Sequence, residues 1–291
     1  MLRKEWSLIV NSLLVQFAVG IFIFLAVYRV ILSSSVGSGA AMRITGTGMA
    51  IAGPIVVLGM IASFFHLGNP FRAYRIVKNV TSSWLSREVV FTGAFVVLWF
   101  IYYLMEINFI NNNVLIWLTA IMGILTVFSM AGIYYSTGKQ GWGSMITYSS
   151  FFGSIIIFGS IGSITAIISS IESTPSMTSM LNATAILIIA VILLRLVHQF
   201  ILFSKLKSED KGRSVDSLVS GSSFSGPFIL MYKTFTRWGL IFSLAGAFLI
   251  FFALMTGKIE SDSLLIISSV ILLLTGEVLG RSGFYSLGMP E

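Results

Sequence analysis

Eight stretches of this chain are apolar for long enough to cross a lipid bilayer, and that feature leaves few folds open. A hydrocarbon core of about 30 Å needs about 20 helical residues at a rise of about 1.5 Å each. Stretches near 7–31, 44–67, 88–108, 113–136, 145–171, 178–204, 236–256 and 263–286 meet that length. Lipid offers the backbone no hydrogen-bond partner, so each of them must be helical. The expected fold class is an all-α membrane protein, a bundle of about eight transmembrane helices forming one integral membrane domain over residues 1–291. Composition agrees, with 10% charged residues against about 25% in soluble domains. Met1 to Trp6 is short and basic. The apolar run behind it is too long for a signal peptide core, so it reads as the first membrane helix.

Pro54 interrupts the second stretch, and Gly153, Gly159 and Gly162 recur in the fifth. Small residues at helical spacing let helices pack closely, which is the reading given to these glycines. Two connections are long. The second, about 68–87, carries Arg72, Arg75, Lys78 and Arg87, and the sixth, about 205–235, is rich in Ser, Gly and Lys and contains the turn pair Gly226-Pro227. Eight spans return both termini to one side, here side A. Most of the 18 lysines and arginines fall there. Side B holds Arg29, Arg43 and Lys258 with Glu106, Glu172, Glu260 and Asp262.

Ionisable groups inside membrane helices are costly and are functional suspects by default. His66, Glu88, Arg195, His198, Glu277 and Arg281 all lie in the side A half of their helices, and side B is expected to have no matching set. Structural roles are also open to each. Glu277 and Arg281, four residues apart, suit an intrahelical ion pair. Arg195 and His198 suit snorkelling to the headgroups. Glu88 suits the positive end of the helix macrodipole. A histidine and a glutamate facing each other across one basic loop also suit proton handling near neutral pH.

The sequence has no cysteine and two histidines. It cannot itself hold an iron–sulfur cluster through thiolates. A dihaem arrangement is out of reach, and a single haem between His66 and His198 is the weaker use of those residues. No haem and no metal site are expected, and no phosphate loop or nucleophile motif is present.

Three segments carry a resemblance. His66-Leu67-Gly68-Asn69-Pro70-Phe71-Arg72-Ala73, Ser83-Trp84-Leu85-Ser86-Arg87-Glu88 and Gly276-Glu277-Val278-Leu279-Gly280-Arg281-Ser282-Gly283-Phe284-Tyr285 resemble three motifs of the dimethyl sulfoxide reductase membrane anchor subunit (DmsC) family. Glu5-Trp6, Gln16, Gly20 and Phe22-Ile23 fit its start. Helices four to seven match in hydropathy alone. The resemblance implies an anchor for a molybdopterin catalytic subunit and an iron–sulfur electron-transfer subunit in the cytoplasmic membrane. Such an anchor oxidises menaquinol in anaerobic respiration, passes electrons to the iron–sulfur partner and carries no haem. It also implies that His66 and Glu88 are quinol-site residues, with Arg72 beside them. Glu277, Arg281, Arg195 and His198 are secondary candidates. A nucleic-acid partner is not expected. A purely structural anchor and a small-solute transporter are the alternatives; transporter sites sit at the midplane of broken helices, away from this one-sided cluster. The positive-inside rule puts side A in the cytoplasm, whereas relatives with exported catalytic subunits have their partners on the outer face, and both orientations stay open.

Overall fold

The computed structural model describes residues 2–65, 79–138, 142–168, 175–212, 226–256 and 263–286. They form eight helices: α1 Leu2–Ser35, α2 Ser38–Phe64, α3 Trp84–Ile107, α4 Asn113–Tyr135, α5 Met145–Ile168, α6 Pro175–Gly212, α7 Gly226–Thr256 and α8 Ser263–Ser286. Each contains a span long and apolar enough to cross a membrane, and no strand occurs among the described residues. The shortest helix has 23 residues, about 35 Å at 1.5 Å per residue, which exceeds the hydrocarbon thickness. The protein is a multi-pass membrane protein.

Local chemistry sets the ends. Ser83 caps α3 by accepting the Ser86 amide at 3.4 Å, and Asn112 caps α4 by accepting the Leu115 amide at 3.1 Å. Between α1 and α2 only Val36 and Gly37 intervene, and Gly37 has φ +84°, which suits a residue without Cβ. Several expected boundaries shift. Residues 32–43, expected as mostly connecting loop, are helical up to and from that pair, and Gly226-Pro227 opens α7 instead of forming a turn. Proline is accommodated in a first helical turn, where its missing N–H has no ladder partner to lose.

Helix α1 is the axis of the bundle, packing on α2, α4, α5, α6 and α8. Two glycine crossings set the closest approaches. A Cβ on Gly20 would lie 2.5 Å from the Ile155 carbonyl oxygen, and one on Gly159 would lie 2.6 Å from the Gly20 carbonyl oxygen, so α1 and α5 touch backbone to backbone. Helices α7 and α8 do the same at Gly239, where a Cβ would lie 2.9 Å from the Gly280 nitrogen. The Pro54 region of α2 is held from α3: the Trp99 indole lies over Gly53 and donates to the Met49 carbonyl at 3.0 Å. One buried apolar cluster fills the space among α1–α5 and the end of α8 (Phe22, Phe95, Val127 and Phe151 at its centre), and a second joins α5, α6, α7 and α8. Leu58, Val97, Phe100, Leu193 and Phe248 are exposed, as lipid-facing side chains must be.

Candidate functional site at the side A ends of the helices

Glu88 does not open α3 as the sequence suggested. The helix begins at Trp84, so Glu88 sits beyond its first turn and is partly buried. The macrodipole effect fades within that first turn, so it does not account for a carboxylate here. Arg87, one residue earlier, donates to the Val80 and Thr81 carbonyls at 2.9 and 2.6 Å and stacks over Trp84, fixing the entry of the backbone into α3. Glu88 faces the side chain of Asn11 on α1. It also lies within electrostatic reach of Tyr134 on α4 and Tyr285 on α8. The two phenol oxygens are hydrogen-bonded to each other at 2.7 Å. They sit in an aromatic box with Trp142, Phe151 and Phe284, and the Trp142 indole donates to the Phe284 carbonyl at 2.8 Å. Four helices thus deliver a carboxylate, an amide and a phenol pair to one place.

The second group lies one turn deeper along α8. Glu277 is not paired with Arg281, as their spacing had suggested; its carboxylate forms an ion pair with Arg195 of α6. Arg195 therefore turns inward, where the sequence had allowed it to snorkel. Ser154 of α5 links the group by donating to Glu277 at 2.6 Å and accepting from Arg195 at 3.1 Å and Arg281 at 3.0 Å. Arg281 is 3% exposed, donates to the Gln16 side-chain oxygen at 2.7 Å and lies 4.0 Å over the Phe151 ring. Its Nη1 and the Gln16 amide nitrogen are buried without a partner among the described residues. His198 shares a hydrogen with Ser149 at 2.8 Å. Ser149, Arg195, His198, Thr236, Glu277 and Arg281 line a cavity of about 90 Å³, room for a few waters at about 30 Å³ each.

The expectation that side B has no matching set is overturned. Arg29, 1% exposed and inside α1, forms a bidentate pair with Glu106 of α3 at 2.7 Å for both contacts and donates to Thr45 of α2 at 2.8 Å. The reading failed because both residues lie near span ends, where a charge is ordinarily solvated. Burial comes from Gly46: a Cβ there would sit 2.5 Å from a Glu106 oxygen, so glycine makes the room. No group of three or more histidines, cysteines or carboxylates able to hold a metal occurs among the described residues.

His66 and Arg72, two of the three principal site residues expected from sequence, lie outside the described residues. The structure brings Arg195, Glu277 and Arg281 into one group, sets His198 at the edge of the same cavity, and keeps Glu88 apart with the phenol pair. Sequence reasoning missed Asn11, Tyr134 and Ser154. The signal on α1 was legible: Ser7, Asn11, Ser12 and Gln16 recur at helical spacing in an otherwise apolar segment, and all four are buried.

The family described as DMSO reductase anchor subunit (DmsC) matches residues 2–287. An anaerobic dimethyl sulfoxide reductase chain of Escherichia coli (strain K12) is 24% identical over 290 residues, covering 98% of this protein and 95% of the relative. An anaerobic dimethyl sulfoxide reductase chain of Haemophilus influenzae is 33% identical over 106 residues, 35% of this protein and 38% of the relative. A sulfite dehydrogenase subunit of Allochromatium vinosum is 29% identical over 119 residues, 36% of this protein and 37% of that one. No solved structure gives a significant match.

Proposed function

The protein belongs to the DMSO reductase anchor subunit (DmsC) family, and from that premise we propose that it oxidises menaquinol at the side A end of the bundle for a membrane-bound reductase. Its partners are an iron–sulfur subunit, which takes the electrons, and a molybdopterin catalytic subunit, both seated on side A of the cytoplasmic membrane. Oxidation of one quinol releases two electrons and two protons. The electrons leave to the iron–sulfur partner. The protons need acceptors that reach the quinol hydroxyls, and Glu88 and His66 are assigned that work, with Arg72 steadying the site.

The observation that carries this reading is the surroundings of Glu88. A carboxylate held beyond the first turn of a membrane helix is expensive unless it has a use. Here it has an amide and two phenols around it and no basic partner among the described residues that would lock it as an ion pair. A carboxylate with no counter-ion fixed on it by the described residues is free to exchange a proton, whereas Glu277 and Glu106 are each paired with an arginine. The cavity beside Glu277 is a poorer quinol slot, because about 90 Å³ is well below the roughly 300–1,000 Å³ of small-molecule sites.

Purification of the protein in mild detergent tests the assignment. An iron–sulfur partner and menaquinone should come with it, and quinol should reduce the partner's clusters. The reduced protein should show no b-type absorption band. A protein that purifies alone and moves solute across liposomes, or one whose complex is inert to quinol, would overturn the reading.

A further inference from the structure

A second, larger cavity lies away from the side A cluster. It occupies about 620 Å³ between α1, α2, α5 and α8, toward side B, and its walls include Phe17, Ile21, Ile44, Ile51, Ile161 and Leu274. The polar side chains on its lining are Arg43, Thr47 and Thr165. No carboxylate or histidine lines it. A quinol in this groove would have no acceptor for its protons, so the groove suits an occupant that undergoes no redox chemistry.

Arg43 identifies the kind of occupant. It is exposed and makes no ion pair or hydrogen bond among the described residues. It lies five residues into α2 from Ser38, about 7–8 Å along the axis from the side B end of that helix. On the same side, the Glu106 carboxylate is paired with Arg29. A cation near the end of a span, without a partner among the described residues and above an apolar groove of ligand size, matches a phosphate attached to acyl chains. Leaving so large an apolar space unfilled would forfeit dispersion contacts along all four helices.

We propose that this groove holds one anionic diacyl phospholipid of the phosphatidylglycerol class, with its phosphate on Arg43 and an acyl chain between α2 and α5. The site is independent of the quinol reading. It ties the α1–α2 hairpin to α5 and α8 on the side opposite the candidate quinol site.

Lipid retention by the purified full-length protein tests the proposal. Wild type, Arg43→Gln, Thr47→Trp and Arg237→Gln are exchanged into mixed phosphatidylglycerol and phosphatidylcholine, washed, and weighed by native mass spectrometry. Wild type and Arg237→Gln should each retain one phosphatidylglycerol. Arg43→Gln, which removes a charge-assisted contact, and Thr47→Trp, which fills the groove, should each lower retention roughly tenfold or more. Inorganic phosphate should not displace the lipid, because it has no acyl chain to seat. Equal retention by Arg43→Gln, equal retention of phosphatidylcholine, displacement by phosphate alone, or a retained quinone in place of phospholipid would each overturn the proposal.

Discussion

The bundle buries an arginine–glutamate pair at each end, and the two are built differently. On side B, Arg29 and Glu106 balance in charge, meet through two contacts of 2.7 Å, take one further bond from Thr45 and join three helices consecutive in the fold. On side A, two arginines share one glutamate through a serine, across helices far apart in sequence, beside a water-sized cavity and below a phenol pair. A closed, balanced pair satisfies its own atoms and holds helices together. An unbalanced cluster, with nitrogens that have no partner among the described residues, adds less to stability. The contrast separates a closed clamp from a less balanced cluster, and Glu88 lies apart from both, beside the phenol pair.

Breaking the clamp should have the largest effect on the fold. Arg29→Ala leaves Glu106 buried without its partner, and such losses cost about 3–5 kcal/mol. Thermal unfolding in detergent should show it, while the double change Arg29→Met with Glu106→Leu should recover most of the loss because it removes both charges. If the double variant is no better than the single, the pair does more than clamp. On side A, Arg195→Ala should cost less, about 1–3 kcal/mol, because Ser154 still donates to Glu277 and the Arg195 side chain is 18% exposed. An equal or greater loss than for Arg29→Ala would erase the distinction between the two ends. Tyr285→Phe should be milder still. It removes one phenol from a bond of 2.7 Å at about 1 kcal/mol, and the quinol-driven rate should fall by less than for a change at Glu88. A greater fall would make the phenol pair, relaying its own protons onward, the main route for the proton.

The sequence carried the membrane architecture because hydropathy is a local property, and the helix count and the bounds of α4, α5 and α8 were legible to within a few residues. The helix ends were less so. Gly226-Pro227 has turn chemistry, yet it begins α7, because proline is as well placed in a first helical turn as in a loop. Pairing was not legible at all. Nothing local says that Glu277 chooses Arg195, 82 residues away, over Arg281 one turn along its own helix. Arg29 and Glu106 each pass for a loop-flanking charge until the α1–α2 hairpin and α3 are folded together. The three motif segments did single out Glu88, Glu277 and Arg281, since charges in otherwise apolar helices stand out without any fold.

The central claim is that Glu88 accepts a proton from quinol, and rates measured side by side on the assembled complex test it most directly. One assay supplies quinol, and the other supplies a dye that reduces the iron–sulfur partner without passing through this protein. Glu88→Gln keeps the shape of the side chain and removes its capacity to take a proton. The account predicts a quinol-driven rate lower by about 10²–10⁴-fold, the usual contribution of a general base, with the dye-driven rate unchanged. A quinol-driven rate within about tenfold of wild type, below that contribution, would show that Glu88 only packs, and equal loss of both rates would show that it holds the complex together.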